Sequence, residues 1–260
     1  MIKIISHLWP NINNSPISHD EKKPNVLIID LSTPNVVEII GHACKTWGIF
    51  QVVNHGVSLE LFDEVESQAR WLFALPAEQK VKVVRSTSGA TGYGTTRITP
   101  FFSKFMWHEG FTIMDSPLDH AKKLWPHDYQ KRLAPHTDSL FLTILHQTNK
   151  KGLQILKKDQ GWTSIAPVSN DALIVNVGDL LHILSNGEFP SVYHRVLVDQ
   201  TKNRVSLAYF FGPQVDSMIV PLVSSEDNVG VVPKYRNVKV KEYLDLKDKH
   251  LEKVFSMIRI

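Results

Sequence analysis

Two histidines and one aspartate have the types and the order of a metal-ligand set. His136 and Asp138 are one residue apart, just before the apolar run Leu140–Leu145, and His194 follows 56 residues after Asp138. Two neutral imidazoles and one carboxylate on one side of Fe(II) leave positions open for a bidentate cosubstrate and for dioxygen. The pattern predicts an iron(II) site in which these three residues are the ligands and form the catalytic centre.

Each of the three residues also has a purely structural interpretation. In a chain with 12 histidines, a His-x-Asp sequence alone is a weak signal. Pro135-His136 fits a surface turn with Asp138 as its cap, and His194 fits a hydrogen-bonded histidine at the end of a strand. The residue types alone therefore leave the structural interpretation open.

A cationic residue and a hydroxyl follow at strand spacing. Arg204 and Ser206 are two residues apart, so a strand turns both side chains to the same face. An arginine can pair bidentately with a carboxylate, and a hydroxyl adds one more hydrogen bond. The pair could hold the far carboxylate of 2-oxoglutarate, whereas the structural alternative is a surface Arg204 paired with an acid such as Asp199.

The elements that position these residues are mostly short β-like runs in the second half of the chain. The runs are Phe141–Leu145, Leu153–Leu156, Leu173–Val177, Leu180–Leu184, Val192–Val198 and Val205–Phe211. Short strands at close spacing favour a jelly roll or a sandwich. The sequence also predicts a helix with Thr33 as cap and Pro34 as first residue, a helix capped by Ser58, a loop over residues 86–96, a helix over residues 117–131 and one terminal helix over Val238–Ile258.

Long segments resemble one plant enzyme family. Ala43–Gly56, Val175–Asp179 and the ordered His136-x-Asp138, His194 and Arg204-x-Ser206 are similar to plant 2-oxoglutarate/Fe(II)-dependent dioxygenases. The segments that most resemble the gibberellin 3-beta-dioxygenases within that family are Gly92–Gly94, Phe101–Thr112, Leu124–Tyr129 and Tyr235–Leu244. The resemblance covers nearly all residues from 26 to 258.

The resemblance implies a fold, a reaction and cofactors. The fold is mainly β with flanking helices, a distorted double-stranded β-helix (jelly-roll) core, in which region 1–132 and core 133–260 form one integrated unit. The reaction is hydroxylation of a gibberellin precursor at the 3-beta position, with 2-oxoglutarate converted to succinate and carbon dioxide. The cofactors are Fe(II), 2-oxoglutarate and O2, and the resemblance also allows ascorbate. The family does not use His55 as a ligand.

The chain departs from the family at one place. In the family, several dozen residues, including an early core strand and a tyrosine that helps to hold 2-oxoglutarate, separate the Trp-Pro-x-Asp-Tyr segment from His-x-Asp. Here Arg132 and Leu133 join the two segments directly, so the jelly roll is expected to be incomplete. Two alternatives stay open: a related dioxygenase acting on another gibberellin carbon or a flavonoid, and a catalytically impaired, metal-binding splice form.

Composition limits the remaining partners. The net charge is +3, and no basic stripe with interleaved aromatics is present, so nucleic acid is not an expected partner. One cysteine and no apolar run near 20 residues favour a cytoplasmic protein without a membrane span. The expected partner is a small gibberellin, for whose carboxylate Arg97 and Lys104 are candidate contacts, and the oligomeric state is left open.

Overall fold

A computed structural model of the chain describes residues 26–84, 92–95, 109–112, 136–147, 152–157, 161–196, 205–223, 232–250 and 253–260. The strands are β1 (Ile28–Asp30), β2 (Ile49–Val53), β3 (Gly92–Thr95), β4 (Glu109–Thr112), β5 (Leu142–Gln147), β6 (Leu153–Lys157), β7 (Gly161–Ile165), β8 (Leu173–Val177), β9 (His194–Val196), β10 (Ser206–Phe211), β11 (Met218–Ile219) and β12 (Val238–Lys239). The helices are α1 (Val36–Thr46), α2 (Leu59–Phe73), α3 (Ala77–Lys80), α4 (Asp179–Leu184), α5 (Val240–His250) and α6 (Val254–Ile258).

A five-stranded sheet and a three-stranded sheet form the centre of the fold. The larger sheet has the order β1-β2-β8-β5-β10, with β1 parallel to β2 and the other pairs antiparallel. The smaller sheet has the order β7-β6-β9 and is antiparallel throughout. Because β1 pairs with β2 and β2 pairs with β8, two strands from the first half of the chain extend a sheet built by the second half.

The two faces of the larger sheet bury different cores. Between the sheets, Ile49 and Ile174 of the larger sheet pack with Ile155 of the smaller one. On the opposite face, Phe50 and Val175 pack with residues of helix α1. The alternation of side chains in β2 and β8 serves both cores, because neighbouring residues of a strand point to opposite faces.

The terminal helices cover one end of the sheets with a third core. The buried residues of this cluster come from α4, β11, the segment before β12, β12 itself and both terminal helices, and they are Leu180, Ile183, Ile219, Tyr235, Val238, Val240, Tyr243, Val254 and Ile258. Tyr243 of α5 is fully buried within it. This third core joins the C-terminal segment to α4, the helix that follows β8.

Several predicted elements are confirmed, and four are wrong. Leu180–Leu184 lies in helix α4, because a short apolar run can be buried as a helix as well as a strand. Helix α1 begins after Asn35, not after Thr33. Residues 92–95, predicted as loop, pair with β4 as strand β3.

The predicted single terminal helix divides into β12, α5 and α6. The start of that segment pairs with β11, so the backbone of Val238 and Lys239 is extended rather than helical. Ser58 caps α2 as predicted, accepting a hydrogen bond from the Leu61 N–H. The predicted helix over residues 117–131 lies outside the described residues. Among the described residues, no helix is long and apolar enough to cross a membrane.

Candidate metal centre

A backbone bridge brings the two predicted histidine ligands together. The N–H of His136 donates to the carbonyl of His194, and the N–H of His194 donates to that of His136, both at 2.9 Å. This isolated antiparallel pair sets the imidazole rings 4.3 Å apart between centroids. Residues 58 positions apart in sequence therefore present their rings to the same space.

Asp138 completes the cluster, and two neighbouring side chains donate hydrogen bonds to its carboxylate. Its Oδ1 lies 3.5 Å from Nε2 of His136, and its Oδ2 lies 3.8 Å from Nε2 of His194. One candidate ligand atom from each of the three residues lies within 4.8 Å of the other two. Thr143 Oγ1 and Asn176 Nδ2 each donate to Oδ2 at 2.6 Å, which fixes the orientation of the carboxylate.

The protonation states of the cluster suit a divalent cation. Burial tends to raise the pKa of Asp138, but the nearby His194 and His136 and the hydrogen bond from Thr143 outweigh it, so the pKa lies well below its ordinary value. Burial lowers the pKa of His194, which favours the neutral imidazole at neutral pH. Nδ1 of that ring contacts the Val192 carbonyl at 3.0 Å, so Nδ1 carries the proton and Nε2 is left as a ligand atom.

The loop that carries Asp138 is bonded to the start of helix α4. The N–H groups of Asp179 and Leu180 donate to the carbonyls of Asp138 and Ser139, at 2.8 and 3.1 Å. Gly178 lies where a Cβ atom would be 2.2 Å from the carbonyl oxygen of Leu140. The close approach of β8 to this loop therefore requires glycine at position 178.

A buried ion pair lies under the same loop. Asp179 is fully buried, and Lys247 of α5 donates to its Oδ2 and also to the carbonyl of Thr137 at 2.8 Å. Tyr243 donates to the same Oδ2 at 2.7 Å, and Ser191 donates to Oδ1 at 2.6 Å. Burial, followed by the charge of Asp179, raises the pKa of Tyr243 and keeps its hydroxyl protonated as a donor.

The other predicted site residues have different positions in the structure. Ser206 begins β10 opposite Gln147, four residue pairs along the ladder from Phe210 and Thr143. Opposite residues of paired strands share a sheet face, so Ser206 lies on the same face as Thr143, the residue bonded to Asp138. Arg204, Arg97 and Lys104 lie outside the described residues.

His55, left structural from the sequence, contacts backbone groups with both ring nitrogens. Its Nε2 lies 2.7 Å from the carbonyl of Asp171, and its Nδ1 accepts from the N–H of Val57 at 3.2 Å. The His55 ring therefore links its own loop to the backbone at Asp171.

Four residues around the cluster were not predicted from the sequence, namely Thr143, Asn176, Asp179 and Lys247. Asn176 and Asp179 lie in a segment that was recognised by resemblance without a role being given to it. Strand pairing could have indicated Thr143, since it stands opposite Asn176 in the β5–β8 ladder. No sequence signal identifies Lys247, which meets Asp179 across 68 residues.

The donor set fits iron(II). Two imidazole nitrogens and one carboxylate oxygen converge, the carboxylate is ionised, and at least one imidazole is held with a free Nε2. This is the donor combination of the 2-His-1-carboxylate sites. A set of three protein ligands would leave the remaining coordination positions of a bound iron ion open.

Two family models match the chain. The 2OG-Fe(II) oxygenase superfamily matches residues 119–213, and the family described as non-haem dioxygenase in morphine synthesis N-terminal matches residues 26–136. The two matches together extend over most of the chain and overlap at residues 119–136. This overlap contains the junction between Arg132 and Leu133.

Curated plant proteins are similar over almost the whole chain. Gibberellin 3-beta-dioxygenase 1 of Pisum sativum is 39% identical, with 92% of this chain and 81% of that protein covered. Gibberellin 3-beta-dioxygenase 1 of Arabidopsis thaliana is 40% identical, with 90% of this chain and 83% of that protein covered.

These alignments also contain positions that this chain lacks. The alignment with the pea protein extends over 307 positions, whereas 92% of 260 residues is about 239, so about 68 positions have no residue of this chain. The expected loss of an internal segment agrees with this difference.

Solved structures share the fold. The crystal structure of JOX2 in complex with 2OG, Fe and JA superimposes with a TM-score of 0.73 at 28% identity, covering 86% of this chain and 85% of that one. The dioxygenase for auxin oxidation from rice gives a TM-score of 0.70 at 22% identity, covering 90% and 100%. The predicted jelly-roll core with flanking helices is confirmed, and within the described residues its sheets do not close into a barrel.

Proposed function

The chain belongs to the 2OG-Fe(II) oxygenase superfamily, and we propose that it hydroxylates a gibberellin precursor at the 3-beta carbon. Enzymes of this superfamily are oxidoreductases that use Fe(II), 2-oxoglutarate and O2. The observation that carries the proposal is the run of relatives named gibberellin 3-beta-dioxygenase, 31–40% identical over 90–99% of this chain.

In this proposal His136, Asp138 and His194 hold the iron. Bound iron supplies the dioxygen chemistry, and the side chains around it set its position. Thr143 and Asn176 occupy Oδ2 of Asp138, so the carboxylate cannot rotate freely. The Val192 carbonyl orients the ring of His194 in the same way. Second contacts of this kind fix the direction of metal ligands.

We propose that Arg204 and Ser206 bind the far carboxylate of 2-oxoglutarate. The position of Ser206 on the sheet face that carries Thr143 supports this assignment, because that face is the one next to Asp138. An arginine–carboxylate pair with an added hydroxyl gives charge-assisted hydrogen bonds in a fixed orientation.

Substituting Arg204 and Ser206 one at a time tests the contribution of each residue to 2-oxoglutarate binding. Arg204→Met should weaken 2-oxoglutarate binding by ~2–5 kcal/mol, as when one partner of a desolvated charge pair is removed. Ser206→Ala removes one hydrogen bond and should cost less. Titration of 2-oxoglutarate into the iron-loaded protein without oxygen measures both. A larger loss in Ser206→Ala than in Arg204→Met would show that the roles are assigned wrongly.

Product analysis tests the substrate. The iron-loaded chain should convert a gibberellin precursor that lacks the 3-hydroxyl to the 3-beta-hydroxylated product, with one succinate formed for each product. Hydroxylation at another gibberellin carbon, or of a flavanone in preference, would instead favour the related dioxygenase. Assays with each substrate class at equal concentration distinguish these results.

A second candidate is a catalytically impaired metal-binding form. It is favoured by the roughly 68 missing positions and by β10, whose six residues are all exposed. Such a form would bind iron through the three ligands but turn over little 2-oxoglutarate with or without a gibberellin. Measuring iron content and succinate formation on the same sample separates it from the active enzyme.

A further inference from the structure

Strand β10 is exposed along its whole length. It is an edge of the five-stranded sheet, and among the described strands it pairs only with β5. Leu207, Tyr209, Phe210 and Phe211 are 48%, 63%, 50% and 50% exposed. Large apolar side chains on an exposed sheet edge mark a place where another strand can pair, because an edge strand directs part of its N–H and C=O groups away from its one neighbouring strand.

The sequence of β10 carries none of the features that block such pairing. Ser206–Phe211 reads SLAYFF, without a charge, a proline or a glycine. Natural sheet edges are usually protected by lysine, proline, bulges or covering helices. Short uncharged segments with strong β preference are also the segments that pair with copies of themselves.

The two faces of β10 differ in what lies beside them. Ser206, Ala208 and Phe210 share the face on which Thr143 donates to Asp138, and Phe210 stands directly opposite Thr143. Leu207, Tyr209 and Phe211 lie on the other face, next to His146, Ile144 and Leu142 of β5.

Among the described residues, helices cover this outer face only as far as β5. The residues of β5 pack against the cluster that includes α1, and Phe62 of α2 stacks on His146 at 4.3 Å. In the part of the chain that the structure describes, the helices that cover the outer face therefore end one strand before the sheet does. The side chains left beyond it are those of Leu207, Tyr209 and Phe211, which are half-exposed or more.

We propose that a second copy of this chain covers β10, by antiparallel pairing of the two β10 strands across a two-fold axis. An axis perpendicular to the sheet brings like faces together. If Tyr209 lies on the axis, it meets Tyr209 of the second copy, and Leu207 meets Phe211. If Ala208 lies on the axis, Leu207 meets Tyr209. Both registers pair apolar residues on the outer face and bring no like charges together.

An open sheet edge is expected in a chain that lacks part of the segment that its relatives carry. Relatives carry about 68 aligned positions without a counterpart here, and the two family matches meet at residues 119–136. That junction directly precedes the loop leading into β5, the neighbour of β10. In the proposed dimer, the neighbouring strand of β10 comes from the second copy.

The expected association is weak and depends on concentration. Two half-exposed aromatic side chains, Tyr209 and Phe211, offer roughly 200 Å² of surface, taking about half of the area that each would bury, and Leu207 adds to it. A standard interface needs ~800 Å² from each partner. Because each copy contributes one β10 edge, the two-fold pairing closes at a dimer.

Sedimentation of the full chain over a wide concentration range tests the proposal. The chain should pass from monomer to dimer, and Tyr209→Lys should remain monomeric because a charge on the edge opposes pairing. The matched control is Val37→Lys on α1, which also introduces a lysine at an exposed apolar side chain, 76% exposed, and should still dimerise. A monomer at every concentration, or an association unchanged in Tyr209→Lys, would overturn the proposal.

Cross-linking tests the register even if the lysine variant does not fold. Tyr209→Cys and Ala208→Cys each place a cysteine on the axis of one register, within reach of its own copy. The natural Cys44 is buried, and burial raises its pKa to about 11, so it competes little. Mild oxidation should give a covalent dimer with one of these variants and not with Val37→Cys. Equal cross-linking at all three positions, or at none, would contradict the two-fold pairing.

Discussion

At the scale of single residues, the Asp138 carboxylate is the best-defined part of the metal centre. Two donors occupy its Oδ2, from Thr143 on β5 and Asn176 on β8, whereas Oδ1 is directed toward His136. The two donors stand opposite each other in the β5–β8 ladder. The sheet therefore fixes one carboxylate oxygen and leaves the other for a cation.

The first prediction concerns the ligands themselves. His136→Ala or His194→Ala should remove most Fe(II) binding, because each takes away one of three protein ligands. Anaerobic titration, with Co(II) as a spectroscopic substitute, measures the stoichiometry and affinity. His42→Ala is the matched control, since this histidine is exposed on α1. Iron binding that is unchanged in either ligand variant would contradict the assignment.

The second prediction concerns the ion pair beneath the loop. Lys247→Met should destabilise the fold by ~3–5 kcal/mol, because Asp179 would keep a buried charge without its cation. Chemical denaturation measures the loss. The double variant Lys247→Met, Asp179→Asn should recover part of it, since the uncompensated charge is then gone. If Lys247→Met is as stable as the parent chain, the pair does not hold the loop.

How far the sequence predicted the site depends on the distance between residues along the chain. His136-x-Asp138 is a local pattern, and the ordering of His194 and Ser206 after it follows a known family. The partners of Asp179 come from Thr137, Ser191, Tyr243 and Lys247, and two of them lie more than 60 residues away. Such contacts arise from packing of α5 on α4, and the spacing of apolar residues along the sequence does not predict which helices pack together.

At the scale of elements, the incorrect prediction for Leu180–Leu184 has a physical cause. Its apolar residues form a run that suits a buried strand, but Gly178 ends β8 and α4 begins at Asp179. As a helix, the segment directs its first N–H groups to the carbonyls of the metal-ligand loop. As a strand, it could not bond to the loop in this way.

The third prediction follows from that contact. Gly178→Ala should displace the loop of Asp138, because the added Cβ would lie 2.2 Å from the Leu140 carbonyl oxygen. We expect a loss of about 1–3 kcal/mol in stability, as for other overpacked sites, together with weaker Fe(II) binding. Gly41→Ala in α1 is the matched control, since its Cβ meets nothing within 4 Å. It should stabilise the chain by about 1 kcal/mol.

At the scale of the whole molecule, an open sheet edge such as β10 is expected in a chain that lacks part of the segment that its relatives carry. The relatives have about 68 aligned positions that this chain lacks. The sequence predicted an incomplete core from the direct junction of Arg132 and Leu133. It did not predict which strand would be exposed, because that depends on the order of strands in the sheet.

The fourth prediction is that restoring the segment improves both folding and turnover. The relatives' stretch, inserted between Arg132 and Leu133, should cover β10 and remove apolar surface from water, worth ~25 cal/mol for each Å². We expect a higher melting temperature, better solubility and faster succinate formation than in the present chain. Iron affinity should change less, since all three ligands lie after the junction.

The same pair of proteins links this prediction to the proposed dimer. If the inserted segment pairs with β10, it competes with the second copy, so the restored chain should stay monomeric at concentrations where the present chain dimerises. An insert of equal length made of Gly and Ser is the control, because it restores chain length without a strand-forming sequence. Equal melting temperature and equal turnover in the present and restored chains would show that the missing segment is not needed for a functional core.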